Sequence, residues 1–195
     1  MRKFFVQFIP CSVGVLTLVV FAAPSAQAAG TCFGSADTHT ASSSFDPESG
    51  VTTLIGNSGE DVIIGTNGPD VIYGMGANDK ICALKADDHV IGGTGDDMIG
   101  GGNGNDNLWG SADNDTIVAY SQNDHVVGGN GTDNLDGGGG DDDILGGSGD
   151  DQLLGGQGND KLDGDNAEPT FGFGAADFCD GGHGTNSFLN CEISP

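Results

Sequence analysis

The sequence predicts an all-β solenoid, and three regularities carry that reading. An Asp recurs every nine residues without a gap from Asp61 to Asp160. An aliphatic residue stands two positions after each of them, from Ile63 to Leu162. A glycine stands five positions before each Asp, except where Ala83 and Ala119 take its place. Self-similarity at so short a period marks a repeat architecture, in which each unit buries its apolar residue only against its neighbours. A flexible Gly-Asp linker would need no aliphatic residue at a constant offset.

The chain opens on a leader. Met1-Arg2-Lys3 is a basic start, Phe4 to about Ala23 is apolar, and Ala26-Gln27-Ala28 supplies a small-x-small cleavage pattern. That arrangement is a secretory signal peptide over residues 1–28. Pro10 interrupts the apolar stretch, and no second stretch of spanning length follows. The expectation is an exported, extracellular protein with no membrane insertion once the leader is cleaved.

Beyond the leader the chain carries 29 acidic side chains against Lys80, Lys85 and Lys161, a net charge of −26. Nucleic acid and anionic membrane surfaces are excluded as partners, because both demand clustered Lys and Arg. With 37 glycines and 7% aromatics, such a polyanion would stay disordered without help.

Four cysteines remain after the leader: Cys32, Cys82, Cys179 and Cys191. In an exported chain they allow three disulfide connectivities. The expected pairing is Cys32–Cys82 and Cys179–Cys191, one bridge near each end. There is no C-x-x-C pair to favour zinc.

The repeat itself supplies the chemistry. Residues flanking each aliphatic position form a short strand, so the aliphatic residue points one way and its neighbours the other. The aliphatic residues then stack as one inward column. Six units carry the full pattern G-G-x-G-x-D: Gly92, Gly93 and Gly95 before Asp97; Gly101, Gly102 and Gly104 before Asp106; Gly128, Gly129 and Gly131 before Asp133; Gly137, Gly138 and Gly140 before Asp142; Gly146, Gly147 and Gly149 before Asp151; Gly155, Gly156 and Gly158 before Asp160. Glycine turns leave carbonyl oxygens accessible, and each Asp adds a carboxylate. Hard oxygen ligands without thiolate or imidazole point to Ca²⁺, several ions in all, rather than to zinc, copper or magnesium.

These in-phase units resemble the RTX, or haemolysin-type, calcium-binding repeat family over residues 56–162. The resemblance implies a right-handed parallel β-roll, two nonapeptides per turn and about six 18-residue turns. It implies ions held between successive loops on each side. One row would use Asp61, Asp79, Asp97, Asp115, Asp133 and Asp151; the other would use Asp70, Asp106, Asp142 and Asp160. Asp88 and Asp124 share that second row, but their loops (Ala83 to Asp87 and Ala119 to Asn123) lack glycine, so calcium there is expected to be weak or missing. Past Leu162 the pattern decays, with Pro169 at the next Asp phase. The segment from Cys179 to Cys191 is similar to the disulfide-closed end of exported family members. The organisation expected is a signal peptide (1–28), an N-terminal cap (29–55), β-roll repeats (56–163) and a C-terminal disulfide cap (164–195).

No nucleophile elbow, zincin or Walker motif occurs, and the segments outside the repeat are too short for a catalytic domain, so no enzyme is expected. The expected function is that of an exported protein that binds several Ca²⁺ ions and folds with them. The alternatives are an adhesive or matrix-associated module and an accessory module of a secreted enzyme. One further pattern concerns partners. If two units make a turn, Tyr73, Ile91, Trp109, Val127 and Leu145 stack as an outward apolar stripe suited to self-association or to a protein partner.

Overall fold

A computed structural model describes residues 42–165 and 177–191. In chain order the strands are β1 (Ser42–Phe45), β2 (Thr52–Ile55), β3 (Val62–Ile64), β4 (Asp70–Gly76), β5 (Lys80–Lys85), β6 (His89–Thr94), β7 (Met98–Asn103) and β8 (Asn107–Ala112). They continue as β9 (Thr116–Ser121), β10 (His125–Asn130), β11 (Asn134–Gly139), β12 (Asp143–Ser148), β13 (Gln152–Gln157), β14 (Lys161–Asp165), β15 (Phe178–Asp180) and β16 (Ser187–Leu189). Even-numbered strands from β2 onward build one sheet, whose far edge is β1; odd-numbered strands from β3 onward build the other.

Consecutive strands alternate between the sheets, so each pairs with the strand one full turn away. Ile72 lies beside Val90, and Val90 beside Leu108, 18 residues apart and parallel. This is a parallel β-roll of about six 18-residue turns. Strand alternation puts Leu54, the aliphatic residue of every repeat from Ile63 to Leu162, and finally Cys179 into one buried core between the sheets, each sheet contributing one row. The core is narrow, with two such side chains per turn. Leu135→Ala in the middle of its row should cost about 2–5 kcal/mol, read by denaturant unfolding in saturating calcium.

The ends depart from the repeat. At the N-terminal end β1 runs antiparallel to β2, with Ser42 opposite Ile55, and so changes the character of that sheet edge. At the other end Cys179 occupies an aliphatic position and is bonded to Cys191, which packs against the core. That disulfide closes the C-terminal end of the core. Cys82 is also disulfide-bonded and is buried on the outward side of β5. Cys32 lies outside the described residues, as do the signal peptide, residues 29–41 of the expected cap and Pro169.

The repeat, whose pattern decays past Leu162 in the sequence, resumes in the structure. Asp151 N–H donates to Asp177 Oδ1, and Asp160 N–H to Asn186 Oδ1, each at 2.8 Å across 26 residues rather than 18. The chain has taken in eight extra residues and then resumed its phase. Asp177 holds the next Asp position, with Cys179 in the aliphatic place.

Candidate metal centre

Each repeat Asp stands at the end of a turn, at or just before the start of its strand, where the roll buries it to 1–3% exposure. The carboxylate points along the axis. One oxygen, Oδ1, accepts the backbone N–H of the Asp one turn earlier: Asp61 to Asp79, Asp79 to Asp97 and so on, at 2.7–3.0 Å. Two ladders result. One runs Asp61, Asp79, Asp97, Asp115, Asp133, Asp151, Asp177; the other runs Asp70, Asp88, Asp106, Asp124, Asp142, Asp160, Asn186. Asp88 and Asp124 hold their places in the second ladder as firmly as the others do.

The second oxygen is the notable one. Oδ2 of Asp79, Asp88, Asp97, Asp106, Asp115, Asp124, Asp133, Asp142 and Asp160 is buried with no hydrogen-bond partner. A buried carboxylate oxygen left unpaired is costly, so these rows call for a cation. A Cβ added at Gly74 would lie 2.5 Å from Asp79 Oδ2 and 2.5 Å from the Gly92 carbonyl oxygen of the next turn. Glycine thus leaves a carboxylate oxygen and a carbonyl oxygen facing a common space. At Ala83 and Ala119 a methyl occupies the equivalent position, before Asp88 and Asp124.

Burial pushes the carboxyls of Asp79, Asp97, Asp106 and Asp142 up from 3.8 to about 6. It pushes those of Asp88, Asp115 and Asp124 to about 8, with neighbouring carboxylates adding to the rise. Asp61 and Asp70, at the first loops, differ. Asn57 N–H and Thr66 N–H of their own turns donate to their Oδ2 atoms, and Asn57 Nδ2 and Thr66 Oγ1 reach their Oδ1 atoms.

No group of three or more His, Cys, Asp or Glu side chains able to hold a metal occurs among the described residues. The carboxylates are strung along rows, so an ion between turns must take most of its ligands from backbone carbonyls. Six to eight oxygens drawn from carboxylate and carbonyl is what Ca²⁺ takes. The donor set fits that ion.

The family model of the RTX calcium-binding nonapeptide repeat, four copies long, matches residues 55–88, 83–117, 100–135, 109–144 and 136–167. The chain belongs to the RTX calcium-binding repeat family. Its nonapeptides bind Ca²⁺, and the roll with its buried Asp ladders is the structural frame of that binding. A comparison with curated proteins finds no match.

The sequence reading missed two features of this RTX roll. Asp177 went unseen because the eight-residue insertion broke the period. The pattern Asp177-x-Cys179, nine residues before Asn186-x-Phe188, was the available signal. The other is an outer ladder built by the residue before each Asp. Asn105 N–H donates to Asp87 Oδ1 of the turn before, Asn123 N–H to Asn105 Oδ1, and Asp141 N–H to Asn123 Oδ1; Asn78, Asp96, Asn114 and Thr132 do the same on the other side. It runs opposite in sense to the inner Asp ladder, so both backbone and side chains tie each turn to two neighbours.

The register places Tyr73, Ile91, Trp109, Val127 and Leu145 side by side on the outer face of the β4–β12 sheet, extended by Ile55 and ended by Asp163. All five are half-buried. His89 and His125 flank the indole, with ring centroids 4.6 and 5.8 Å from Trp109.

Proposed function

We propose that this chain is an exported, non-catalytic protein whose fold is completed by calcium. The observation that carries this reading is the pair of buried Asp ladders with partnerless Oδ2 atoms facing glycine turns. The ligand set we assign is Asp79, Asp97, Asp115, Asp133 and Asp151 in one row and Asp106, Asp142 and Asp160 in the other, with carbonyls of their glycine loops. Asp61 and Asp70 are the outermost members, held in part by their own turns. Asp88 and Asp124 are left out, because Ala83 and Ala119 fill the space beside them. Bound calcium would supply two positive charges per site against stacked carboxylates. The leader, the signal peptide cleavage after Ala28, the caps at 29–55 and 164–195 and a Cys32–Cys82 bridge complete the exported form. Among the described residues, no helix is long and apolar enough to cross a membrane.

The test compares two substitutions by calcium titration of the far-UV circular dichroism. Asp151 ends a full glycine loop that faces the full glycine loop ending at Asp133, so Asp151→Ala should shift the calcium midpoint upward by about tenfold, the loss of one charged ligand. Asp88→Ala should shift it far less. Equal shifts would contradict the assignment of ligands.

The outward stripe supports a second element of this proposal, self-association of the calcium-loaded roll. The face from β2 to β10 carries no carboxylate, so two copies of a −26 chain meet there with least repulsion. Trp109 is the sole tryptophan and reports this face. Its emission should be blue-shifted at high protein concentration and move red on dilution or in Leu145→Asp. A red emission at every concentration would leave the stripe as ordinary sheet surface.

A further inference from the structure

From Met75 onward the turns of this roll are of two kinds, and as far as Gly140 they alternate. In the first kind, φ is positive at residues that are not glycine: Met75, Ala77, Leu84 and Ala86, and 36 residues later Ser111, Asp113, Tyr120 and Gln122, all between 68° and 93°. In the second kind the same two loop positions are glycine, with φ between 92° and 150°, for example Gly93, Gly95, Gly129 and Gly131. A Cβ confines an L-residue to the lower part of the positive range, so the two kinds differ in backbone shape. Side-chain turns and glycine turns alternate from Met75 to Gly140. Beyond that, glycine turns follow one another at Gly129 to Gly140 and Gly147 to Gly158.

The side-chain turns act on the glycine turn before them. A Cβ at Gly129 would strike the backbone of Ser111, and one at Gly131 the Asp113 carbonyl. The Asp113 side chain shows the consequence: Gly95 N–H donates to Asp113 Oδ2 at 3.0 Å, so a side chain occupies the space between these two turns. A gap bounded by a side-chain turn, with its different backbone shape, is a poorer calcium site than one bounded by two glycine turns. The first side-chain turn also carries Lys85, a cation in the loop itself.

We propose that the roll holds two classes of calcium gap, set by whether the two loops bounding a gap are both glycine loops. Among gaps between two Asp-ending loops, those of the first class lie between the loops ending at Asp133 and Asp151 and between those ending at Asp142 and Asp160. Every gap from Asp79 to Asp133 and from Asp88 to Asp142 is bounded on one side by a side-chain loop and belongs to the second class. Residues 128–160 thus order at low calcium and residues 74–127 at higher calcium, a graded response rather than a single switch. Nearest-neighbour coupling in a solenoid permits such segmental ordering. This inference rests on the proposed placement of calcium between successive loops.

The test is segment-resolved amide hydrogen exchange of the mature chain across a calcium titration, with calorimetry for the number of ions. Amides of residues 128–160 should gain protection at about tenfold lower calcium than those of 74–127, the difference expected for a lost ligand interaction. In a variant with Ser111, Asp113, Ala119, Tyr120 and Gln122 all changed to Gly, residues 92–127 should join the low-calcium phase, and more ions should bind in that phase. Residues 74–86 should stay in the later one. A single midpoint along the whole wild-type roll overturns the two classes while leaving calcium binding intact. So does a variant whose residues 92–127 keep the wild-type midpoint. Calcium that protects no segment would overturn the calcium reading itself and this inference with it.

Discussion

In excess chelator, with its disulfides intact, the mature chain should lose most of its β signal and regain it on addition of calcium. The reason lies in the balance of a thin core against stacked charge. The core from Leu54 to Cys179 holds one repeat aliphatic from each sheet per turn, so each turn buries little apolar surface for the backbone it orders. Against it stand two ladders of buried carboxylates within a chain of net charge −26. Every additional turn stacks two more carboxylates on those already present, and self-repulsion grows with length. Binding free energy realised only in the folded state is then folding free energy. Magnesium at the same concentration should recover little of the signal, because it demands a strict octahedron and holds its water. The measurement is far-UV circular dichroism with chelator, then Ca²⁺, then Mg²⁺ in separate samples. A native β spectrum in chelator would show that the core and the two side-chain ladders suffice alone.

The parts of this structure legible in the sequence are those tied to one residue type at one offset. The aliphatic core demands an apolar residue every nine positions, because no other place in so thin a roll can bury one. The Asp ladder is equally strict, since a buried carboxylate at that corner closes on the N–H of the turn before. The outer ladder escaped notice for the opposite reason. Asn105, Asp141 and Asn159 all present an oxygen to the next turn's N–H, so the position tolerates several residue types and shows no single-letter period. Asp177 was hidden by the insertion, which moves the phase without altering the geometry. The loops without glycine were visible as departures. What the sequence does not display is that Asp113 adopts φ 74° and that its side chain takes the Gly95 N–H of the preceding turn. No offset rule announces that contact, because it depends on two turns of different kinds meeting.

Acid should partly replace calcium. The carboxyls of Asp79, Asp97, Asp106 and Asp142 are raised to about 6, and those of Asp88, Asp115 and Asp124 to about 8, first by burial and then by neighbouring carboxylates. Their ordinary value is 3.8, so the metal-free roll binds more protons than the unfolded chain across the interval between. The stability these groups contribute is therefore fully present below about 3.8 and is lost as pH rises through 6 and then 8. In chelator, the chain should show more β structure at pH 5 than at pH 8. Calcium reverses the direction, because its ligands must be ionised. Binding should release protons near neutral pH, and the calcium midpoint should fall as pH rises from 5 to 8. Circular dichroism at the two pH values, with and without calcium, separates the two slopes. A chelated chain equally disordered at pH 5 and pH 8, or a calcium midpoint independent of pH, would mean that the buried carboxylates do not govern the folding of the roll.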